Sequence, residues 1–424
     1  MDLMLRKILS LSLCLAILFL LGNITSQADT VNQIQAKIDA ANANRAKLEK
    51  EIANYQSQLK VIGGEAISLQ NTIKSLDVST SKITTEVKLT ETNINKTSYT
   101  IEDTGLQIKD KEQQINRDTQ AITQSLRRIN EADALSIWEV LLSNQDLGDF
   151  WADLEDTVRI QAKIGDQVAS VKNIKINLEK AKIQLEQQKK ELEDYTKELA
   201  DKKRVLDSTK KEKNVLLTNT KNTEANYQKI LQDKLALKEA LDQEINSYES
   251  QLRLAIDPKS FPKAGKGILA WPLDSIYITQ YFGKTVDSVR LYASGTHNGV
   301  DFRATIGTRV KSAGNGIVEG VGDTDIVCPG ASFGKWVFIR YDNGLASTYG
   351  HLSLITAKQG QRVKTGDVVG YSGNTGYSTG PHLHVSIYAS QGVKVSTLKS
   401  AVCKGTYVMP LADPKAYLDP MVYF

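Results

Sequence analysis

The 424-residue chain predicts a multidomain fold, a long α-helical antiparallel coiled coil followed by a small all-β antiparallel domain. Three observations carry this expectation. An apolar seam recurs at alternating steps of three and four through the first part, the signature of helices packed along a stripe. Short β-branched and aromatic runs, "WVFIRY", "DVVGYSG" and "HLHVSIY", alternate in the second with turn signals such as "YDNGLAS" and "SGNTG". Between the two parts, Pro258, Pro262, Gly265 and Gly267 break any regular element.

The N-terminus reads as a secretory signal peptide over residues 1–28: Arg6 and Lys7, an apolar stretch from Ile8 to Leu21, then the small-residue site Ser26-Gln27-Ala28. That stretch is short of the roughly 20 residues of a membrane span, so a retained anchor is the alternative reading. Cys14 follows Leu13, where a lipoprotein needs a small residue, and more apolar sequence follows it. The mature chain, beginning at Asp29, is therefore expected outside the cytoplasmic membrane, in the periplasm or cell envelope.

Residues 29–253 form the expected coiled-coil hairpin. One heptad position carries Ile38, Ile52, Leu59, Ile73 and Val87, then Ile94 and every seventh residue to Ile129. Its partner position is apolar from Ile34 to Ile83 and turns polar at Thr90, Thr97, Thr104, Lys111 and Asp118, so the distal half is thinly zipped. A second seam runs through Val171, Leu178, Leu185, Leu192, Leu199, Leu206, Tyr227, Leu241 and Tyr248. Between the seams, an apolar tip near 132–154 with Leu135, Trp138, Leu141, Leu142, Phe150 and Trp151 either caps the hairpin or docks a partner. Gly63-Gly64 and Gly105 are weak points, an interior Gly costing about 1 kcal/mol relative to Ala. Helical throughout, the arms would reach on the order of 100 Å. Residues 254–267 are the linker and 268–424 the β domain.

All four histidines of the chain fall in that β domain, at His297, His351, His382 and His384. On an extended strand, residues two or four apart share a face, so His297 with Asp301, and His382 with His384, can project into one cleft. Two imidazoles and a carboxylate make an open zinc set, three protein ligands with the fourth tetrahedral position left over. Gly373, Gly376 and Gly380 would let the backbone run close to the cleft or form plain hairpin turns.

HxxxD at 297–301, YGHL at 349–352 and HLH at 382–384 resemble the lysostaphin-type zinc endopeptidases of family M23, which cut the peptide cross-links of bacterial peptidoglycan. "WPLDSIYITQYFG" resembles that family's entry strand, and "GQRVKTGDVVGYSGNTGYSTGPHLHVSIY" its core signature, so the resemblance spans roughly residues 268–390. It implies that His297, Asp301 and His384 bind Zn2+, and that His351 and His382 are catalytic. It also implies a peptidoglycan peptide substrate. The arrangement resembles envelope proteins of the cell-division type, which implies a membrane-bound division or transporter complex as the coil's partner.

Two other functions compete with that of a zinc metalloendopeptidase. A non-catalytic activator or scaffold could use the same architecture, but the complete set of five site residues argues against it. A periplasmic adaptor also joins a helical hairpin to a small β domain, although there the hairpin interrupts the β domain and nothing requires HxxxD. The net charge of +4, +3 once the signal segment is removed, is too small to argue for nucleic acid, and alternating Lys and Glu along the helices mark solvated faces. Cys328 and Cys403 remain after cleavage; in an oxidising compartment they either pair, tying "DTDIVCPGASFG" to the C-terminal excursion, or stay two separate thiols. Tyr292 is a lone candidate oxyanion donor or ordinary loop packing. A thinly zipped rod, an apolar tip and a Pro/Gly linker together predict that the rod restrains the enzyme until a membrane-bound partner engages it; a passive spacer is the competing view.

Overall fold

A computed structural model describes residues 2–62, 67–133, 147–251, 263–284 and 295–424, with side chains from residue 31 onward except 131–154 and 156–157. Gly63-Gly64, most of the apolar tip, most of the linker and Tyr292 therefore lie outside what is described. Among the described residues, four helices, α1 (Asp2–Ile62), α2 (Leu69–Asp133), α3 (Leu147–Thr220) and α4 (Glu224–Gln251), precede a C-terminal antiparallel β domain. Among the described residues, no helix is long and apolar enough to cross a membrane. The chain divides into two compact units, Met1–Ala46 with Thr90–Lys197, and Lys47–Leu89 with Glu198–Phe424.

Within the first unit α1 runs antiparallel beside α2. Asn44 donates to Thr92 at 3.0 Å, and Lys37 sits 5.1 Å from the centre of the Tyr99 ring. The heptad seam that reads as one arm through residue 130 is thus carried by two helices, because periodicity records which face is apolar and not where the chain reverses. The polar continuation of the seam stays inside: Thr90, Thr97 and Thr104 are buried. Threonine tolerates such positions because its hydroxyl bonds back along the helix, as Thr100 does to the Lys96 carbonyl at 2.9 Å. Gly105 is accommodated within α2 without a break.

In the second unit the near ends of α2 and α3, together with α4, pack with the β domain. Leu76, Ile83 and Val205 cluster with Ile306 and Tyr371. Helix α4 follows a tight turn in which Lys221 and Asn222 take positive φ of 48° and 54°. Its buried residues include Lys238, Leu241 and Glu249, while Tyr248 is 37% exposed. The coiled-coil stripe, which would place Tyr248 inside, gives way here to a face turned toward the β domain.

The sheet has the order β1 (Ile278–Gln280), β2 (Val300–Arg303), β9 (His382–Ala389), β6 (Leu345–Ile355), β5 (Lys335–Tyr341), β4 (Gly316–Asp323) and β7 (Arg362–Val363). β8 (Val368–Ser372) joins β6 to β3 (Arg309–Lys311), and β12 (Tyr417–Leu418) pairs with β9. Alternation decides the two faces. Val300, Phe302, Leu383, Val385 and Ile387 enter the main core, leaving Asp301, His382 and His384 on the other side. A separate hairpin, β10 (Val393–Ser400) and β11 (Gly405–Ala412), builds a second core with Trp336, Phe338 and Tyr388. Cys328 and Cys403 form a disulfide, tying the loop after β4 to the turn of this hairpin.

Candidate metal and peptidase site

Strand register assembles the site. Asp301 of β2 lies directly opposite His384 of β9, and His384 lies opposite Gly350 of β6. His297 precedes β2 rather than sharing its strand, and is held by a bridge to Gly283. The i, i+4 spacing therefore brings His297 to Asp301 through a turn into the strand, not through strand alternation. Gly299, inside that turn, makes room for the site: a Cβ there would stand 2.6 Å from the His384 ring.

The described residues contain one group of three side chains able to hold a metal ion, His297, Asp301 and His384, whose ligand atoms all lie within 4.8 Å of one another. Asp301 Oδ1 is 2.8 Å from His384 Nδ1 and 3.3 Å from His297 Nε2. The far nitrogens have partners too. His297 Nδ1 meets the Tyr281 carbonyl at 3.1 Å, and His384 Nε2 meets Ser386 Oγ at 2.8 Å. A carbonyl only accepts, so His297 Nδ1 carries a proton and Nε2 is the nitrogen turned to the carboxylate. Such outer hydrogen bonds orient imidazoles for a metal.

His351 and His382 complete the cluster, their ring centres 4.6 Å apart. Each donates Nδ1–H to a backbone carbonyl, His351 to Thr375 at 2.9 Å and His382 to Gly380 at 2.8 Å, and His382 Nε2 lies 3.7 Å from Asp301 Oδ1. His351 also has a left-handed backbone, φ 59°, uncommon for a non-glycine residue. Burial depresses the His351 imidazole well below its usual range, and the nearby His382 and His384 push it the same way. For Asp301 burial acts upward, but the charge of His382 and hydrogen bonds from His297 and His384 prevail and hold the carboxyl well below the carboxylate range. Burial also lowers His384, against the pull of Asp301.

All five residues singled out by the sequence thus meet in one place. Of the three glycines, Gly376 has φ +70° and packs against the Gly334 backbone, and Gly373 lies against Ser353, whereas a Cβ at Gly380 would meet nothing. Sequence reasoning missed what covers the site. A cleft is lined by His297, His351 and His384 on one side and by Lys238, Asp242, Ile245, Asn246 and Glu249 of α4 on the other. No sequence signal announced it, because Lys238 and Glu249 are buried although their charge reads as a solvated helical face.

One sheet thus carries two histidines and an aspartate that could hold a metal ion, beside two more histidines. Residues 295–397 match the profile of peptidase family M23, and this part of the chain is an M23 peptidase domain. The chain is 39% identical over 106 residues to the peptidoglycan DD-endopeptidase ShyA of Vibrio cholerae serotype O1, covering 25% of this chain and 23% of that protein. It is 36% identical to the DD-carboxypeptidase/endopeptidase Mpg of Neisseria meningitidis serogroup B, covering 27% of this chain and 24% of the relative. The catalytic domain of lysostaphin from Staphylococcus simulans aligns at 28% identity with a TM-score of 0.26, covering 34% of this chain and 90% of that one. The chain thus spans about a quarter of the length of these two curated relatives, ShyA and Mpg.

Proposed function

We propose that the protein is a zinc-dependent endopeptidase that hydrolyses peptide cross-links of bacterial peptidoglycan in the periplasm or cell envelope. The observation that carries this reading is the convergence of His297 Nε2, Asp301 Oδ1 and His384 Nδ1 within 4.8 Å, next to two histidines whose Nδ1 protons are already engaged. The donor set fits zinc: two imidazoles and an ionised carboxylate, with the imidazoles' outer nitrogens hydrogen-bonded. Zinc held there supplies Lewis acidity, polarising a scissile carbonyl and bringing the pKa of a water to about 7.

The chain's own residues then handle the protons. His351, kept neutral by burial, offers Nε2 to accept the proton of the attacking water. An amide leaves only when its nitrogen is protonated, and the same imidazole can return the proton to it. Because the Gly380 carbonyl already holds Nδ1–H, His382 donates through Nε2 to the oxygen that gains negative charge only as the imidazolium, with a proton on both nitrogens. A non-catalytic activator or scaffold would need none of these groups. Digestion of purified peptidoglycan of several cross-link chemistries should release new amino and carboxyl termini, abolished by chelation and restored by zinc. Intact cross-links in every substrate would remove the enzymatic reading.

The helical region serves as restraint in the same proposal. Helix α4 is anchored beside the cleft by Leu241 against Cys328 and Ala331 and by Ile245 against the hairpin core. Glu244 accepts from Ala401 N–H at 2.6 Å, and Glu249 accepts from Ala412 N–H at 3.0 Å and the Tyr417 hydroxyl at 2.9 Å. A polymeric cross-linked substrate has to enter where α4 lies. A membrane-bound division or transporter complex engaging the coiled coil would release α4, which takes only a few kcal/mol of preference for the released state.

A further inference from the structure

The loop from Asp323 to Gly334 holds none of the three candidate ligands and does not follow from the heptad or strand pattern, although its Phe333 lines the cleft 5.7 Å from the His384 ring. It is bonded at several points within itself. A short 3-10 helix (Thr324–Ile326) opens it, with the Asp323 carboxylate accepting from Asp325 N–H at 3.1 Å. The disulfide at Cys328 fixes its middle.

Asp325 spans two loops. Its Oδ1 accepts from Gly330 N–H at 2.6 Å, within its own loop, and its Oδ2 accepts from Gly376 N–H at 2.7 Å, in the loop that precedes β9. Where the loops meet, Gly334 and Gly376 both have positive φ and approach so closely that a Cβ on either would collide with the other's backbone. Thr375 is clamped as well, its hydroxyl accepting from Lys335 N–H at 3.0 Å and donating to the Leu352 carbonyl at 2.8 Å.

These bonds end at His351. The Thr375 carbonyl receives His351 Nδ1–H, and the Phe333 carbonyl receives His351 N–H at 2.7 Å. Ring and backbone of this left-handed residue are therefore both held by the two loops that Asp325 joins. A carboxylate accepting two backbone N–H groups through separate oxygens makes stronger bonds than a neutral acceptor, and it sets the spacing between them.

We infer that Asp325 is a positioning residue, which, by fixing Gly376 and hence the Thr375 carbonyl, holds His351 in the single tautomer that leaves Nε2 free. The inference rests on the reading of His351 as the proton-transfer group. It assigns the disulfide-tied loop a purpose beyond stability, that of a brace for one imidazole.

The test uses the full-length chain labelled with 15N-histidine, which contributes only four imidazoles. In the wild type His351 should show one Nδ1-protonated tautomer. Asp325→Ala should populate both tautomers and lower kcat on a soluble cross-linked peptide on the order of 10- to 100-fold, with KM and bound zinc unchanged. Asp325→Asn, which keeps one carbonyl acceptor and is the milder change should alanine impair folding, should fall between. A single wild-type tautomer in both folded variants, even with a lowered melting temperature, overturns the inference and leaves the loop a structural clamp. If the wild type hydrolyses nothing, the peptidase reading fails, and the tautomer measurement alone still decides the role of Asp325.

Discussion

Three backbone carbonyls, those of Tyr281, Thr375 and Gly380, accept Nδ1–H from His297, His351 and His382 and so turn Nε2 of each ring toward the cluster. His384 instead turns Nδ1 inward and meets Ser386 with Nε2. The two kinds of histidine should separate on substitution. His384→Ala should abolish stoichiometric zinc in metal analysis, since it removes one of three ligands. His351→Ala and His382→Ala should keep zinc but lower turnover by about two to four orders of magnitude, the span of general acid–base catalysis. Metal lost from a folded His351→Ala or His382→Ala protein would move that residue into the ligand set.

Helix α4 is the element whose behaviour sequence periodicity misjudged. Its residues at 238, 241, 242, 245 and 249 form one helical face turned to the β domain. Glu249 makes this docking sensitive to pH. Burial raises its carboxyl from 4.5 to about 7, against the hydrogen bonds from Ala412 and Tyr417, and Asp413 adds to the rise. The docked state therefore prefers the protonated acid. That preference is fully present below pH 4.5 and is lost as pH rises through about 7, amounting to about 3 kcal/mol. Hydrogen exchange in residues 238–251 should accelerate between pH 5 and 8 more than intrinsic chemistry requires, and Glu249→Gln should flatten that excess. An excess unchanged by the substitution would assign the pH response to another group.

At the scale of the whole molecule the restraint reading makes the catalytic domain more active alone than within the chain. A fragment from about residue 266 to Phe424 should hydrolyse a cross-linked polymeric substrate faster than the full-length protein, on the order of tenfold or more. Full-length Leu241→Asp, which places a charge against Cys328 and Ala331, should recover part of that gain. Equal rates for fragment, variant and full-length chain would make the rod a spacer.

The sequence by itself determined the two-part architecture and picked out the five residues that lie together in the fold. Heptad steps, turn residues and strand alternation are local properties, and HxxxD and HLH carry their ligand chemistry in residue type and spacing. Pairing of β2 with β9 then had to bring Asp301 to His384, because both sit on the polar side of strands whose other side is core. Tertiary structure alone decided three things. The reversal of α1 onto α2 leaves no mark in a periodicity that is the same in either direction. The burial of Thr90, Thr97, Lys238 and Glu249 depends on what lies opposite them, and polarity predicts the reverse. The bond from Asp325 to Gly376 joins loops 51 residues apart through a backbone N–H, a group every non-proline residue carries, so no residue pattern could announce it.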